Sequence, residues 1–549
     1  MKRRTEPTLW YNAEVVTLDP KLPRSNAVLV HGGRVESLGP EALALAGDGV
    51  DRVDLGGACL IPGFTESHIH YFDWSLALKR LMLDGARSLA DVCDAVAAEA
   101  ARPDRTWVLG FGWYEGGWPD VADRALPFPN RHDLDAVCPR KPVVLWRADL
   151  HLAVANSAAL AAAGIDRFTP DPAMGRIDRD PGGEPTGVLR DWGINPVREL
   201  ALASLDEAEI DAAFMDAQSE LHRYGVTGVH DLRLMGGIEA RTAFAAWQRL
   251  RHSGRMRLRS WCCMAGEVLE PCIRLGLRTG MGDEWLRVGH FKVYADGSMG
   301  AHTAWVIDPY ATQREAGGCG LPMFSIDEIG RLLRRGRESG NALTIHAIGD
   351  RAVRQLAHLL AAAESGPRAV CFAPDRIEHL QMVRPDAMAI LAALTPGSVA
   401  VSAQPMHLLL DKDMIDLEFG ALGRYTYPFA TILKSGLPLA FGSDCPVTHF
   451  DPLQGMHAAL TRNFPGHEAH PWHANERISA EEALRAYSVG PAVSCGLQRE
   501  QGTIAQGMLA DFAVLSANPL DVSPAALPKL RVLMTVVGGE VVFKTPALG

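Results

Sequence analysis

The alternation of apolar and polar positions divides the chain into two similar ends and a different middle. At the ends, short β-branched runs such as "LWYNAEVVTLD", "NAVLVHGGRVESLG", "ADFAVLSANP" and "VLMTVVGGEVVFK" are broken by Gly, Pro, Asn and Asp. Two of these runs carry paired glycines between apolar segments, Gly32 with Gly33 and Gly538 with Gly539, which is a hairpin signal. Residues 1–62 and 500–549 are therefore expected to be strands that meet in one small β domain. The middle, 63–499, is then an insertion between them.

The middle follows another rhythm. Short apolar runs at "GVTGVHDL", "LRSWCCMA", "VGHFKVYADG", "ALTIHAIGD", "DRIEHL", "SVAVSAQP" and "LPLAFGSD" alternate with helical periodicity, as in "GIEARTAFAAWQRLRHSG" and "IDEIGRLLRRGRESG". The last of these closes on a helix-ending glycine. Strand–helix alternation implies a parallel sheet of the α/β class. With the strand in "GFTESHIHYF" ending at His70, the strands reach the number of a closed (β/α)8 TIM-like barrel. The first unit is interrupted between His70 and Val226. Its stretch 71–224 holds "GWYEGGWPD" and "PGGEPTGVL", too turn-rich for one helix, and reads as a lid or insertion over the barrel mouth.

Composition narrows the class. At 549 residues the chain exceeds one ordinary core, and 47% hydrophobic with 22% charged residues is the balance of a globular protein. A formal charge of −11 argues against a nucleic-acid surface. No apolar run reaches membrane-helix length, and no apolar h-region follows the basic start, so neither membrane span nor signal peptide is expected. The 10 cysteines lack CxxC spacing, which fits reduced thiols in a cytoplasm.

The strand ends carry the chemistry. His68 and His70 sit one residue apart, so in a strand both imidazoles face one side. Lys292 lies on strand four, His346 ends strand five, His379 ends strand six and Asp444 ends strand eight. Barrel strand ends converge on one face, which would gather these six although they span residues 68 to 444. Singly, each has a plain reading: a rim histidine, an Asx-turn at Asp444 before Pro446, a lysine whose stem packs while its head reaches water. Together they favour a two-metal centre. Neutral imidazoles suit Zn, Fe or Mn, and Asp444 adds negative charge. An ammonium at Lys292 would be repelled by two dications. As a carbamate, carbamylated Lys292 would bridge them at about 3.5–4 Å and a metal-bridging hydroxide would be available at neutral pH.

At "GFTESHIH", "KVYADGSMG", "HAIGDRAV", "IEH" and "GSDCPV" the chain resembles the amidohydrolase superfamily, in particular its amidohydrolase-3 branch of N-substituted formamide deformylase-like enzymes. "GTIAQGMLADFAVLSANP" resembles the superfamily's return to its β domain. The resemblance implies a barrel with a composite β-sandwich made from both chain ends. It also implies a metal-dependent hydrolase of non-peptide C–N bonds, with His68, His70, Lys292, His346, His379 and Asp444 as metal shell. "LWRADLHLAVANSAAL" resembles the branch's substrate-side segment and makes His151 and Asn156 pocket candidates. One departure stands out: the branch often has Arg where this chain has His302, which cannot supply a bidentate fork to a carboxylate.

His230, at the end of strand two, is either a rim residue or a substrate contact. Trp113, Trp118 and Trp305 either line an aromatic pocket or pack. The expected activity is hydrolysis of an amide, N-acyl or N-formyl bond of a small molecule, with Asp444 as proton acceptor and donor. Trp113, His151, His230 and His302 are its candidate substrate contacts. The alternatives are an ester, lactone or cyclic amide substrate, heterocycle deamination, or a non-catalytic regulator on the same fold. A homodimer is compatible with the sequence.

Overall fold

The computed structural model describes residues 6–47, 49–103, 105–121, 124, 127–148, 150–172, 175–233 and 237–548. The chain divides into two compact units. One comprises Met1–Ile69, Gln218–Leu234 and Trp247–Gly549, the other His70–Ala217 and Met235–Ala246.

The first unit holds the barrel. Its eight strands are Phe64–Ile69, Val226–Asp231, Arg259–Ala265, Leu286–Tyr294, Leu343–Ala347, Asp375–His379, Val399–Ala403 and Leu439–Phe441. They form one sheet in sequence order, and each neighbouring pair is parallel. The ring is completed where strand one meets strand eight. Ile69 pairs with Cys445, the Asp444 amide donates to His68 O at 2.7 Å, and Ser67 Oγ donates to Phe441 O at 2.8 Å. This seam tolerates no side chain at Gly442, where a Cβ would lie 2.6 Å from Glu66 Oε1 and 2.7 Å from His68 N. The expected helix after strand four spans Ile326–Ser339. Ser325 caps its start, and Gly340 ends it in the left-handed region at φ 76°, a conformation glycine adopts without cost.

Both chain ends contribute to a second sheet of the same unit. Its order runs Glu540–Lys544, Val532–Val537, Phe512–Leu515, Cys59–Pro62, Thr8–Val16, Arg24–His31, Arg34–Leu38, with Asp51–Asp54 on Thr8–Val16. The termini join at the antiparallel pair Phe512 and Pro62. Trp10, Val28, Leu60, Phe512 and Val536 fill its core. A buried ion pair from Arg259 on barrel strand three to Asp511, 2.5 and 2.9 Å, ties sheet to barrel.

The stretch 71–224, expected to be a lid or insertion, supplies most of the second unit, which has its own core. Six strands pair in the order Gly175–Arg179, Pro185–Asp191, Leu152–Ala155, Val143–Arg147, Val108–Trp113, Leu81–Met82. Trp113 and Leu145 of the sheet pack with Leu83, Val92, Val96 and Trp118. Among the described residues, no helix is long and apolar enough to cross a membrane.

Candidate metal centre

Barrel closure brings the strand ends of the first unit together. His68 Nε2 lies 3.2 Å from Asp444 Oδ1, and His407 Nε2 lies 3.9 Å from Asp444 Oδ2. His379, His407 and Asp444 offer ligand atoms all within 4.8 Å of one another. The His379 ring sits 4.4 Å from that of His346 and 5.0 Å from that of His68. His70, the first residue past strand one, is buried. His379 at φ 69° and Asp444 at φ 61° hold left-handed backbone conformations. For such residues this costs on the order of 1–3 kcal/mol each, and the surrounding fold must offset it.

The donor chemistry fits a divalent cation. His379 Nδ1 and His407 Nε2 are buried without a hydrogen-bond partner among the described residues, a costly state for a polar atom unless a ligand completes it. Burial, then His346 alongside, holds the His379 imidazole well below its ordinary value, hence neutral, as ligation requires. The His346 Nε2–H donates to Gly297 O at 3.0 Å, which leaves Nδ1 as its lone-pair nitrogen. Lys292 is 3% exposed, and its ammonium lies 4.8 Å from the Tyr294 ring centroid. Burial pulls its pKa down to about 8 although Glu378 and Asp444 oppose the shift. A neutral amine is thus accessible near neutral pH.

The quoted motifs also do architectural work. Asp296, from "ADGSMG", accepts from Ile348 N at 3.0 Å and from Gly349 N and Trp305 N at 2.8 Å. It thereby fastens the loop after strand four to the loop after strand five. Glu66, from "GFTESHIH", accepts from His68 N at 3.2 Å and Ser443 N at 2.8 Å, and burial raises its pKa to about 7.

The substrate candidates scatter. His230 faces the barrel interior, its Nδ1 accepting from Arg376 Nη1 at 2.8 Å, with Cys495 Sγ 3.4 Å from Nε2. Burial, then Arg376, holds it well below its ordinary pKa. His302 stacks on Tyr310 at 4.6 Å, lies 3.0 Å from Gln313 Nε2 and faces Glu418 at 3.4 Å. Trp305 is half-buried, its backbone engaged by Asp296 and by the amides of Arg351 and Ala352.

In the second unit, Trp113 is fully buried and donates its indole N–H to Leu145 O at 3.0 Å. Trp118 shares that core and donates to Ala86 O. Asn156 accepts from Val143 N and Ala159 N, and donates to Cys138 O and Lys141 O. Its amide is thereby fully spent within the unit. His151 is partly exposed and lies 2.6 Å from Asp191 Oδ1.

Two participants were not anticipated. His407 follows strand seven in "QPMH", a strand whose end carries none of the expected ligands. Glu378 precedes His379, and the two-residue period of strand six turns Arg376 and Glu378 inward together.

Fold and centre define a class. The chain belongs to the amidohydrolase family, whose model matches residues 51–543. It is 30% identical to a putative amidohydrolase of Bacillus subtilis, covering 98% of this chain and 99% of that one. It is 27% identical to an N-substituted formamide deformylase of Arthrobacter pascens, covering 96% of each. Among solved structures, an uncharacterized metal-dependent hydrolase from Pyrococcus furiosus superposes with a TM-score of 0.74 at 26% identity, over 94% of this chain and 100% of that one.

Proposed function

We propose that the protein is a metal-dependent hydrolase that cleaves the C–N bond of an amide, N-acyl or N-formyl group in a small molecule. The observation that carries this reading is the convergence on Asp444 of His68, His379 and His407, with His379 Nδ1 and His407 Nε2 left to a ligand. The N-substituted formamide deformylase likeness supports the bond type.

His68, His70, His346, His379 and Asp444, with Lys292 as carbamate, are the side chains read as holding two divalent ions, zinc first and iron or manganese otherwise. When bound, such ions supply an activated water and polarise the scissile carbonyl. The residues do the rest. Asp444 accepts a proton from the attacking water and delivers it to the leaving nitrogen, which must depart as a neutral amine. His407, sharing that carboxylate, is the substrate-side partner of the proton's path. His302 keeps its reading as a substrate contact. The end sheet is read as a composite β-sandwich, and the net charge of −11 suits a small-molecule substrate in the cytoplasm rather than nucleic acid.

The test is metal analysis of purified protein joined to a hydrolysis screen of N-formyl amines, N-acyl amines, esters and lactones. Up to two ions per chain, turnover of amide substrates and loss of turnover on chelation are expected. Metal-free protein with undiminished turnover overturns the metal reading, and turnover confined to esters or lactones overturns the bond assignment.

A further inference from the structure

A TIM-barrel interior is ordinarily filled by layers of branched apolar side chains. Beneath this centre it is not. His68, Arg376 and Glu378 are each 0% exposed and His230 is 4% exposed, and they form one hydrogen-bonded file through the barrel. Glu378 Oε2 lies 2.5 Å from His68 Nδ1. Its other oxygen accepts from Arg376 Nε at 2.5 Å and from the Thr344 hydroxyl. Arg376 continues to His230, and His230 to Cys495.

Burying an ion pair gains little stability over apolar packing of the same volume, so stability alone is a weak account of this file. Its upper end supplies a stronger one. A carboxylate is acceptor-only, and Glu378 sits as one, ion-paired to Arg376 at 2.5 Å and accepting from the Thr344 hydroxyl. His68 Nδ1 must therefore carry the proton, and Nε2 presents its lone pair on the side where Asp444 lies 3.2 Å away. Gln404 Nε2 also lies near this nitrogen, 3.3 Å from Nδ1.

We propose that Glu378 is a positioning residue of the metal centre. It fixes the tautomer and ring orientation of His68 so that Nε2 faces the ion, while Arg376, braced by His230, holds the carboxylate in place. This rests on the metal-hydrolase reading above and adds to it a buried residue outside the ligand set. Partners of this kind commonly tune ion affinity by 10–100-fold.

The experiment measures Zn²⁺ affinity of chelator-stripped protein by competition with a chromophoric chelator, alongside the thermal midpoint of the same stripped protein. Glu378→Asp keeps the charge beside Arg376 but withdraws the carboxylate from His68. Its affinity should fall about 10-fold or more, with the stripped midpoint little changed. Arg376→Met with Glu378→Gln removes both charges, avoids an unpaired guanidinium, and should lose affinity as well. Affinities equal to wild type in both variants overturn the proposal, as does a loss of affinity that only tracks loss of the stripped fold. Wild-type protein that takes up neither zinc, iron nor manganese overturns the metal-hydrolase reading itself, which distinguishes the two failures.

Discussion

The barrel interior and the core of the insertion both bury large side chains completely, and they bury different chemistry. In the insertion, Trp113 packs among Val92, Val96 and Leu145, and its one polar atom is satisfied by a backbone carbonyl. In the barrel, equally buried positions hold His68, Arg376 and Glu378, with Lys292 nearly as buried. Apolar burial stabilises a fold, whereas a buried charge costs free energy unless it is paired. Where a chain keeps the costly kind at the convergent ends of parallel strands, the burial marks a site. Where it keeps the favourable kind, an aromatic residue in a turn-rich segment marks a core.

The comparison is most exposed to change at its polar pole. Asp444→Asn keeps shape and removes the proton acceptor, so kcat should fall by ~10²–10⁴ with most metal retained. Lys292→Ala should lose at least one ion together with turnover, and added acetate, propionate or bicarbonate should partly restore both. Paired metal stoichiometry and kcat decide the matter. A Lys292→Ala protein with two ions and normal rate would remove the carbamate bridge.

At the apolar pole, Trp113→Ala should cost roughly 3–5 kcal/mol of stability, the usual price of emptying an aromatic core position. The loss should appear in thermal melting and in hydrogen exchange over 108–155, with barrel amides spared. A changed KM at unchanged stability would instead return Trp113 to a pocket wall.

The two regions also differ in how much the sequence disclosed. The barrel was legible because its geometry is forced. Parallel strands point their C-terminal ends one way, so His68, Lys292, His346, His379 and Asp444 could be brought together from strand order alone. Glu378 and Arg376 obeyed the same two-residue period but lay one and three residues before the strand end, where charged side chains are not expected. His407 lies past a strand end, on the helix Pro405–Phe419, so a rule about strand termini passed it over. In the insertion no such constraint operates. A six-stranded sheet of mixed pairing gives no rule for where Trp113 or Asn156 points, and Asn156 proved to cap the helix Ser157–Ala162. Its role was visible in principle, since Asn before a helical run is a capping signal.

His407 tests whether the site extends beyond the barrel strands. His407→Asn keeps a polar side chain and should leave fold and most of the metal in place while lowering kcat by ~10²-fold, the low end for a proton-handling group. A titration of bound metal beside the rate separates ligand from shuttle. Complete loss of an ion would make His407 a ligand, and an unchanged rate would confine the chemistry to the strand ends.

The smallest effect concerns what buried histidines cost the barrel unit in acid. His222 is 3% exposed and lies 3.0 Å from Arg257 O. Burial, its largest influence, drives its pKa down from 6.5 to about 4, and burial moves His290 the same way, to about 3. The folded state therefore binds the proton less readily than the unfolded chain. Stability is full above about 6.5 and falls as the pH drops from there toward 4, because the unfolded chain takes up protons first. By pH 5 the His222 contribution should amount to on the order of 1–2 kcal/mol. His222→Gln retains a side-chain donor for Arg257 O and has no titration, so it should flatten the fall in melting temperature between pH 7 and pH 5. If the variant's acid slope matches wild type, the buried imidazole is not what titrates, and the acid sensitivity of this unit belongs to its carboxylates.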